Sequence, residues 1–305
     1  MKNTENLRIG IDLGGTKTEI VVLDEGSNVI FRKRADTPKT HYDAILRLIK
    51  DLVGETTKKF GVIEKVGIGA PGSICPVNRV VKNSNTVCLI GKKIDDDLAE
   101  VLPDRSIVIE NDANCFALTE AVLGAGKNYH SVFGVILGTG VGGGLVIDKT
   151  LLVGGSLIAG EWGHNPMPWE EEAELLKRAC YCGKFGCIET FLSGPGMSLS
   201  YRLKVRSRSE IPPQEILKAM DRGDGNAREV IIEYEHRLAR ALASVLNIID
   251  PDVVILGGGM SNIDRIYKNV HKYLDQYVFG GISRTKILKN ELGDSAGVIG
   301  AALLQ

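Results

Sequence analysis

Apolar positions in this 305-residue chain change period along its length, and those changes mark its elements. Residues 7–23, LRIGIDLGGTKTEIVVL, hold two apolar runs flanking Asp12-Leu13-Gly14-Gly15-Thr16-Lys17, the signature of a β-hairpin closed by a glycine turn. VIFRKRADT, after a polar turn, predicts another strand. From 42 to 60 the spacing becomes helical, with Ile45, Leu46, Leu48, Ile49, Leu52 and Val53 on one stripe. KVGIGAPGSI reads as a short buried strand stopped by Pro-Gly. SIVIENDAN reads as another, leading into a helix from about Ala113 that glycines end near 124–126. Residues 131–148, SVFGVILGTGVGGGLVID, repeat the strand–glycine–strand unit, which predicts two related halves. The stretch 154–196 is rich in Gly, Pro and Cys and reads as functional loops. Helical spacing returns at 213–220 and 227–249, DVVILGGGMS is a buried strand ending in glycines, and SAGVIGAALL is a short closing helix. Mixed strands and helices in two halves predict an α/β architecture with a cleft between domains.

Composition narrows the class. The length suits two compact domains, and 44% hydrophobic with 25% charged residues is the balance of a soluble globular protein. A net charge of −1 gives no electrostatic case for nucleic acid or an anionic membrane. The start lacks a secretory pattern, and no apolar run approaches the roughly 18–20 residues that span a bilayer. A cytoplasmic location is therefore expected, where thiols stay reduced and clustered cysteines favour metal or redox chemistry.

Three glycine turns follow apolar strands: Gly14-Gly15-Thr16-Lys17, Gly138-Thr139-Gly140 and Gly257-Gly258-Gly259. Glycine admits an anion close to the backbone, and N–H groups and Thr hydroxyls donate to it. GTGVGG formally matches a dinucleotide fingerprint, but a strand rather than a helix follows it, which disfavours a nicotinamide oxidoreductase. A Walker phosphate loop is absent from the sequence, so another nucleotide fold is required. Cys75, Cys88 and Cys115 are scattered and read as packing residues. Cys180, Cys182 and Cys187 fall within eight residues and supply three of the four ligands of a structural zinc site. His41, His130, His164, His236 and His271 are candidates for the fourth, His164 being the nearest upstream. Free thiols or a redox pair are the alternatives. Asp112 reads equally as a helix N-cap, Asp12 as a turn partner, and Lys17, Glu161 and Glu189 as solvated surface.

DLGGTKTE, NDANCFALTEA, ILGTGVGGG, GEWGHNP, CYCGKFGCIETFLSG and DPDVVILGGGMS, taken in order, resemble the ROK family of bacterial sugar kinases from about residue 8 to 302. The resemblance implies a two-domain actin/Hsp70/hexokinase-like (ribonuclease-H-like) fold with an interdomain cleft. Residues 1–115, joined by a C-terminal helix at 291–305, would form the small domain, and 116–290 the large one carrying the zinc loop. It implies an ATP:hexose 6-phosphotransferase in which Asp112 is the general base and Asn111, Glu161, His164 and Glu189 bind the sugar. Asp12, Gly14, Gly15, Thr16, Lys17, Gly138, Thr139, Gly257 and Gly258 would surround Mg²⁺–ATP. His164, Cys180, Cys182 and Cys187 would hold structural Zn²⁺, with the second His164 nitrogen left to orient a sugar hydroxyl. GEWGHNPMPW, VVKNSNT and NIIDPDVVILGGGMSN resemble the fructokinase/mannokinase branch. The expected acceptor is thus D-fructose, with mannose or glucose as side substrates and N-acetylglucosamine or N-acetylmannosamine as the runner-up. A homodimer is expected. A sugar-responsive repressor is disfavoured, because only 11 residues precede Asp12. Fifteen residues separate His164 from Cys180, and this insertion, with Glu170–Glu174, is expected to bulge outward.

Overall fold

The computed structural model describes residues 4, 6–84 and 86–304, so Asn85 of the VVKNSNT motif lies outside the described residues. The chain runs through β1 (Arg8–Leu13), β2 (Lys17–Leu23), β3 (Val29–Asp36), α1 (Tyr42–Phe60), β4 (Lys65–Ala70), β5 (Ser73–Ile74), β6 (Val81–Lys82), α2 (Ile94–Val101), β7 (Ser106–Asn111) and α3 (Asp112–Val122). It continues through β8 (Ser131–Leu137), β9 (Val141–Ile147), β10 (Thr150–Leu152), α4 (Glu172–Leu176), α5 (Glu189–Leu192), α6 (Gly194–Val205), α7 (Pro213–Asp221) and α8 (Gly225–Ile249). The last elements are β11 (Val253–Gly257), α9 (Arg265–Leu274), β12 (Lys286–Lys289) and α10 (Ala296–Leu303). Two compact units result: Met1–Gly124 with Lys149–Ala159 and Leu292–Gln305, and Ala125–Asp148 with Gly160–Glu291. Among the described residues, no helix is long and apolar enough to cross a membrane.

In the first unit the sheet order is β3-β2-β1-β4-β7. The hairpin predicted at 7–23 pairs Ile11 with Ile20 and Asp12 with Glu19, while β4 and β7 join in parallel. Strand alternation sends Ile9, Ile11, Ile20 and Ile68 into a core that α1 closes with Ile45, Ile49, Leu52 and Val53. On β4, Gly67 has no room for a side chain, since a Cβ there would overlap the carbonyl of Ala301 in α10. That missing methyl is what lets α10 lie directly on the strand.

The second unit uses the same plan. Four of its strands stand in the order β9-β8-β11-β12, with β8 and β9 antiparallel and β11 parallel to both β8 and β12. Asp252 ties the start of β8, its carboxylate accepting from the Ser131 N–H at 2.8 Å and hydroxyl at 2.9 Å. The long helix α8 begins at Asp224, whose side chain accepts from Ala227 N at 3.0 Å, and it buries Val230, Ile231, Tyr234, Leu238, Leu242 and Leu246. These meet Phe133, Val135, Phe191, Val254 and Leu256 in the core. The α/β class and the repeated hairpin agree with the sequence reading, while the parallel partners of each hairpin come from the structure. Helix α6 and strand β12 are additions that the apolar pattern does not announce.

Candidate active site

Parallel pairing carries the acidic candidates of the first unit to one sheet edge. Asp12 stands opposite Gly69 near the C-terminal end of β1, and Ala70 at the end of β4 stands opposite Asn111 at the end of β7. The helix cap is Asn111, whose Oδ1 accepts from Asn114 N at 2.7 Å, so Asp112 is the first helical residue rather than the cap. Its carboxylate accepts from its neighbour Ala113 N at 2.9 Å. Burial raises the Asp112 carboxyl above the ordinary aspartate range against that hydrogen bond. Burial also raises Asp12 to about 6, helped by the charges of Asp112 and Glu19 and opposed by Arg34. Asp12 thus feels the charge of Asp112, and two carboxyls both raised in this way make a site with unusual proton affinity.

The Gly14–Thr16 turn is strapped from behind. Thr37 Oγ1 donates to Gly14 O at 2.8 Å, and Thr37 N donates to Thr16 O at 3.0 Å. A Cβ on Gly14 would meet Lys17 O at 2.7 Å, and one on Gly297 would sit 3.3 Å from Asp12 Oδ2. Thr16 and Gly15 remain accessible at the tip. Lys17 is exposed and forms an ion pair with Asp36, directly opposite it on β3. That arrangement is the surface-lysine reading rather than an ammonium turned into the glycine turn.

In the second unit three glycine segments meet at the end of β8. Gly194 N, at the head of α6, donates to Gly138 O at 2.8 Å. Gly258 has φ 79°, and a Cβ there would lie 2.5 Å from Leu137 O, so only glycine suits both the backbone and the contact. Thr139 is exposed at the tip. Glu189, on the short α5, accepts from Val141 N at 2.9 Å through Oε2, and a Cβ on Gly140 would come 2.7 Å from the same oxygen. Half of the Glu189 carboxylate therefore holds the glycine turn.

Glu161 precedes a 3-10 turn, Trp162–His164, that is anchored by a buried indole. Trp162 Nε1 donates to Gly142 O at 3.1 Å, and its ring meets Phe133 edge-on. The cysteine segment forms a small hairpin of its own, Ala179 facing Phe185, that is stitched to residues 165–167. Met167 N donates to Gly186 O and Ile188 N to Asn165 O, both at 2.8 Å. These contacts gather the ligand atoms of His164, Cys180, Cys182 and Cys187 within 4.8 Å of one another. Cys182 and Cys187 sulfurs are 3.6 Å apart, and Cys180 Sγ lies 3.5 Å from His164 Nδ1. Tetrahedral zinc bonds of about 2.3 Å to sulfur and about 2.05 Å to nitrogen give edges of roughly 3.8 and 3.6 Å. The donor set fits a closed structural zinc site. Burial pushes the Cys187 thiol up to about 12, so its deprotonation calls for a nearby positive charge, as a bound divalent cation supplies.

Two features depart from expectation. The second His164 nitrogen, Nε2, lies 2.9 Å from the hydroxyl of Tyr181, a residue the sequence reading passed over as the spacer in Cys-x-Cys. The insertion exposes residues 171–173 around the start of α4, as expected, but is anchored at its head. Glu170 is buried against Arg237 at 2.7 Å and Arg240 at 3.0 Å on α8. Arg178 is 1% exposed and donates to Thr190 O at 2.6 Å and Ser200 Oγ at 2.8 Å. Its guanidinium stacks 4.1 Å from the Phe191 ring, which Arg237 also faces at 4.9 Å.

Comparison with known proteins gives a consistent set of relatives. The ROK family model matches residues 8–305. An N-acetyl-D-glucosamine kinase from Pectobacterium carotovorum is 39% identical over 299 residues, 97% of either chain. A ROK hexokinase from Thermus thermophilus superposes with a TM-score of 0.86 at 27% identity, covering 98% of this chain and 97% of that one. A ROK family glucokinase from Streptomyces griseus, solved with glucose and AMPPNP, gives 0.76 at 28% identity, covering 97% of this chain and 98% of that one. The name carried by the Pectobacterium relative is that of the runner-up acceptor, not of the fructose branch.

Proposed function

The chain belongs to the ROK family, and from that premise we propose that it is an ATP-dependent sugar kinase, transferring the γ-phosphoryl group to the 6-hydroxyl of an N-acetylhexosamine such as N-acetyl-D-glucosamine. The observation that carries this reading is Asp112, a solvent-accessible carboxylate of raised proton affinity at the head of α3 whose charge Asp12 feels. Asp112 takes the proton as the sugar oxygen attacks phosphorus, the bond to the bridging oxygen of ADP breaks, and the proton later leaves to water. Asn111, with its Oδ1 committed to Asn114, offers its amide N–H₂ to a sugar hydroxyl. Glu161 and the free oxygen of Glu189 accept from sugar hydroxyls, and His164 shapes the same wall. Thr16 and Thr139 donate to phosphate oxygens, while Gly14, Gly15, Gly138, Gly257 and Gly258 keep the backbone open to the nucleotide. Asp12 would hold the hydrated Mg²⁺ that accompanies ATP, and that ion would supply neutralisation of phosphate charge. His164, Cys180, Cys182 and Cys187 would hold zinc as a brace, with no water to activate.

An ADP-release screen with N-acetylglucosamine, N-acetylmannosamine, fructose, mannose and glucose tests the acceptor. N-acetylglucosamine should give the highest kcat/KM, and higher turnover of fructose would restore the expectation drawn from the motifs. D112N should fold normally and lose about 10²–10⁴-fold in kcat. Undiminished turnover in D112N would remove Asp112 from the mechanism.

A further inference from the structure

Strand pairing sets a row of side chains across the first sheet, and the end of that row at Glu110 takes no part in the chemistry proposed so far. Asp12 stands opposite Glu19 on one side and Gly69 on the other, and Gly69 stands opposite Glu110 on β7. Residues paired in this way share one face of a sheet. Glu110 therefore lies on the Asp12 face, and Gly69 between them leaves room for α3. A Cβ on Gly69 would lie 3.2 Å from Cys115 Sγ, so α3 seats directly on the row.

From that seat the first turn of α3 returns a side chain to the strand. Asn114 Nδ2 donates to Glu110 Oε2 at 2.9 Å, while Asn114 N donates to Asn111 Oδ1 at 2.7 Å. One residue thus grips both the strand and the helix cap, closing a ring through Glu110, Asn111 and Asn114. Asn114 is 4% exposed, and its own Oδ1 is buried without a partner among the described residues. An apolar side chain would leave no such atom stranded, so what the asparagine contributes is its donor. The ring encloses the strand-to-helix corner on which two functional groups stand. These are the Asn111 amide, assigned to a sugar hydroxyl, and the Asp112 carboxylate, assigned to its proton.

We propose that Glu110 is a positioning residue for the sugar side of the reaction. Acting through Asn114, it fixes the β7–α3 corner so that Asn111 and Asp112 meet the sugar in one geometry. It serves as a hydrogen-bond acceptor rather than as a charge, and needs no contact with sugar or nucleotide. The inference rests on the assignment of Asn111 and Asp112 to the sugar, but not on which sugar is bound.

The experiment is a double-mutant cycle in the full-length protein, with E110Q added. Calorimetric sugar affinity, the KM for ATP and the thermal midpoint are read in each variant. E110A and N114A should each weaken sugar binding about 10-fold and leave the KM for ATP unchanged. E110A/N114A should bind no more weakly than either single variant, because the two residues form one link. E110Q keeps an acceptor oxygen for Asn114 and should stay within about 2-fold of the wild type. Wild-type affinity in both alanine variants overturns the proposal, and additive losses in the double variant do so by making the two residues independent. A loss in E110Q equal to that in E110A also overturns it, because charge would then be the active property. So does a loss that tracks the thermal midpoint with the KM for ATP rising in parallel, which would make the pair structural alone. If E110A does not fold, weakened binding in N114A beside normal binding in E110Q supports the link, and equal values in the two overturn it. A working kinase with a flat cycle sinks this inference alone. Sugar binding without ADP release in the wild type sinks the kinase reading, while the affinity cycle still decides the role of Glu110.

Discussion

Single side chains in this protein are held away from their ordinary chemistry, and Asp12 shows the cost. Its carboxyl titrates near 3.8 in an unfolded chain and at about 6 when folded, chiefly because burial disfavours its charge. Between those values the native state binds more protons than the unfolded one, so stability falls as pH rises from about 4 to 6 and is level above. The shift corresponds to roughly 3 kcal/mol, and partial solvent access at Asp12 lowers the expected effect to about 1–2 kcal/mol. D12N should therefore be the more stable protein at pH 7 by about that amount and should lose this slope in chemical denaturation between pH 4 and 6. It should also be a poor enzyme, which is the usual trade at a functional site. Lys17 teaches the opposite lesson: a lysine inside a phosphate-like motif spends its charge on Asp36 across the hairpin.

At the scale of elements, the join between the cysteine hairpin and helices α5 and α6 is made by Arg178. Its fork serves Thr190 O, Ser200 Oγ and the Phe191 face, and burial together with the charge of Arg237 lowers its pKa to about 10. R178M should lower stability by about 2–4 kcal/mol, read as a reduced denaturant midpoint at unchanged slope, because it strands buried acceptors. R178K should recover less than half of that, since an ammonium cannot reproduce the planar fork. None of this was legible from the chain, where Arg178 is one more cation after an acidic run. What was legible followed physical strength of signal. Helix α1 was read to its observed ends because its apolar stripe repeats over 19 residues. Helix α6 was not, because it opens Gly-Pro-Gly and buries Ser198 and Ser200 beside Met197 and Tyr201, leaving no apolar period. The three cysteines of the candidate zinc site were legible by residue type and spacing and His164 through the family resemblance, whereas Tyr181 was invisible as a spacer. The register of a side chain between two ligands is a tertiary fact.

For the whole molecule, the candidate metal site of His164 and three cysteines is the point at which composition becomes architecture. Prolonged chelation should lower the thermal midpoint and weaken sugar affinity, while the product of any residual turnover stays the same. Restored zinc should return both, monitored by differential scanning fluorimetry and sugar titration. If sugar affinity survives complete zinc loss, the brace is unrelated to the sugar wall. The segmentation of the first unit has a further consequence. Its sheet is laid down within the first 111 residues, yet α10, for which Gly67 leaves its space, comes almost 200 residues later. During synthesis that strand face waits uncovered while the whole of the second unit emerges. The order of translation thus makes the second unit the first that can finish, and the nascent early sheet the part most in need of a chaperone's protection.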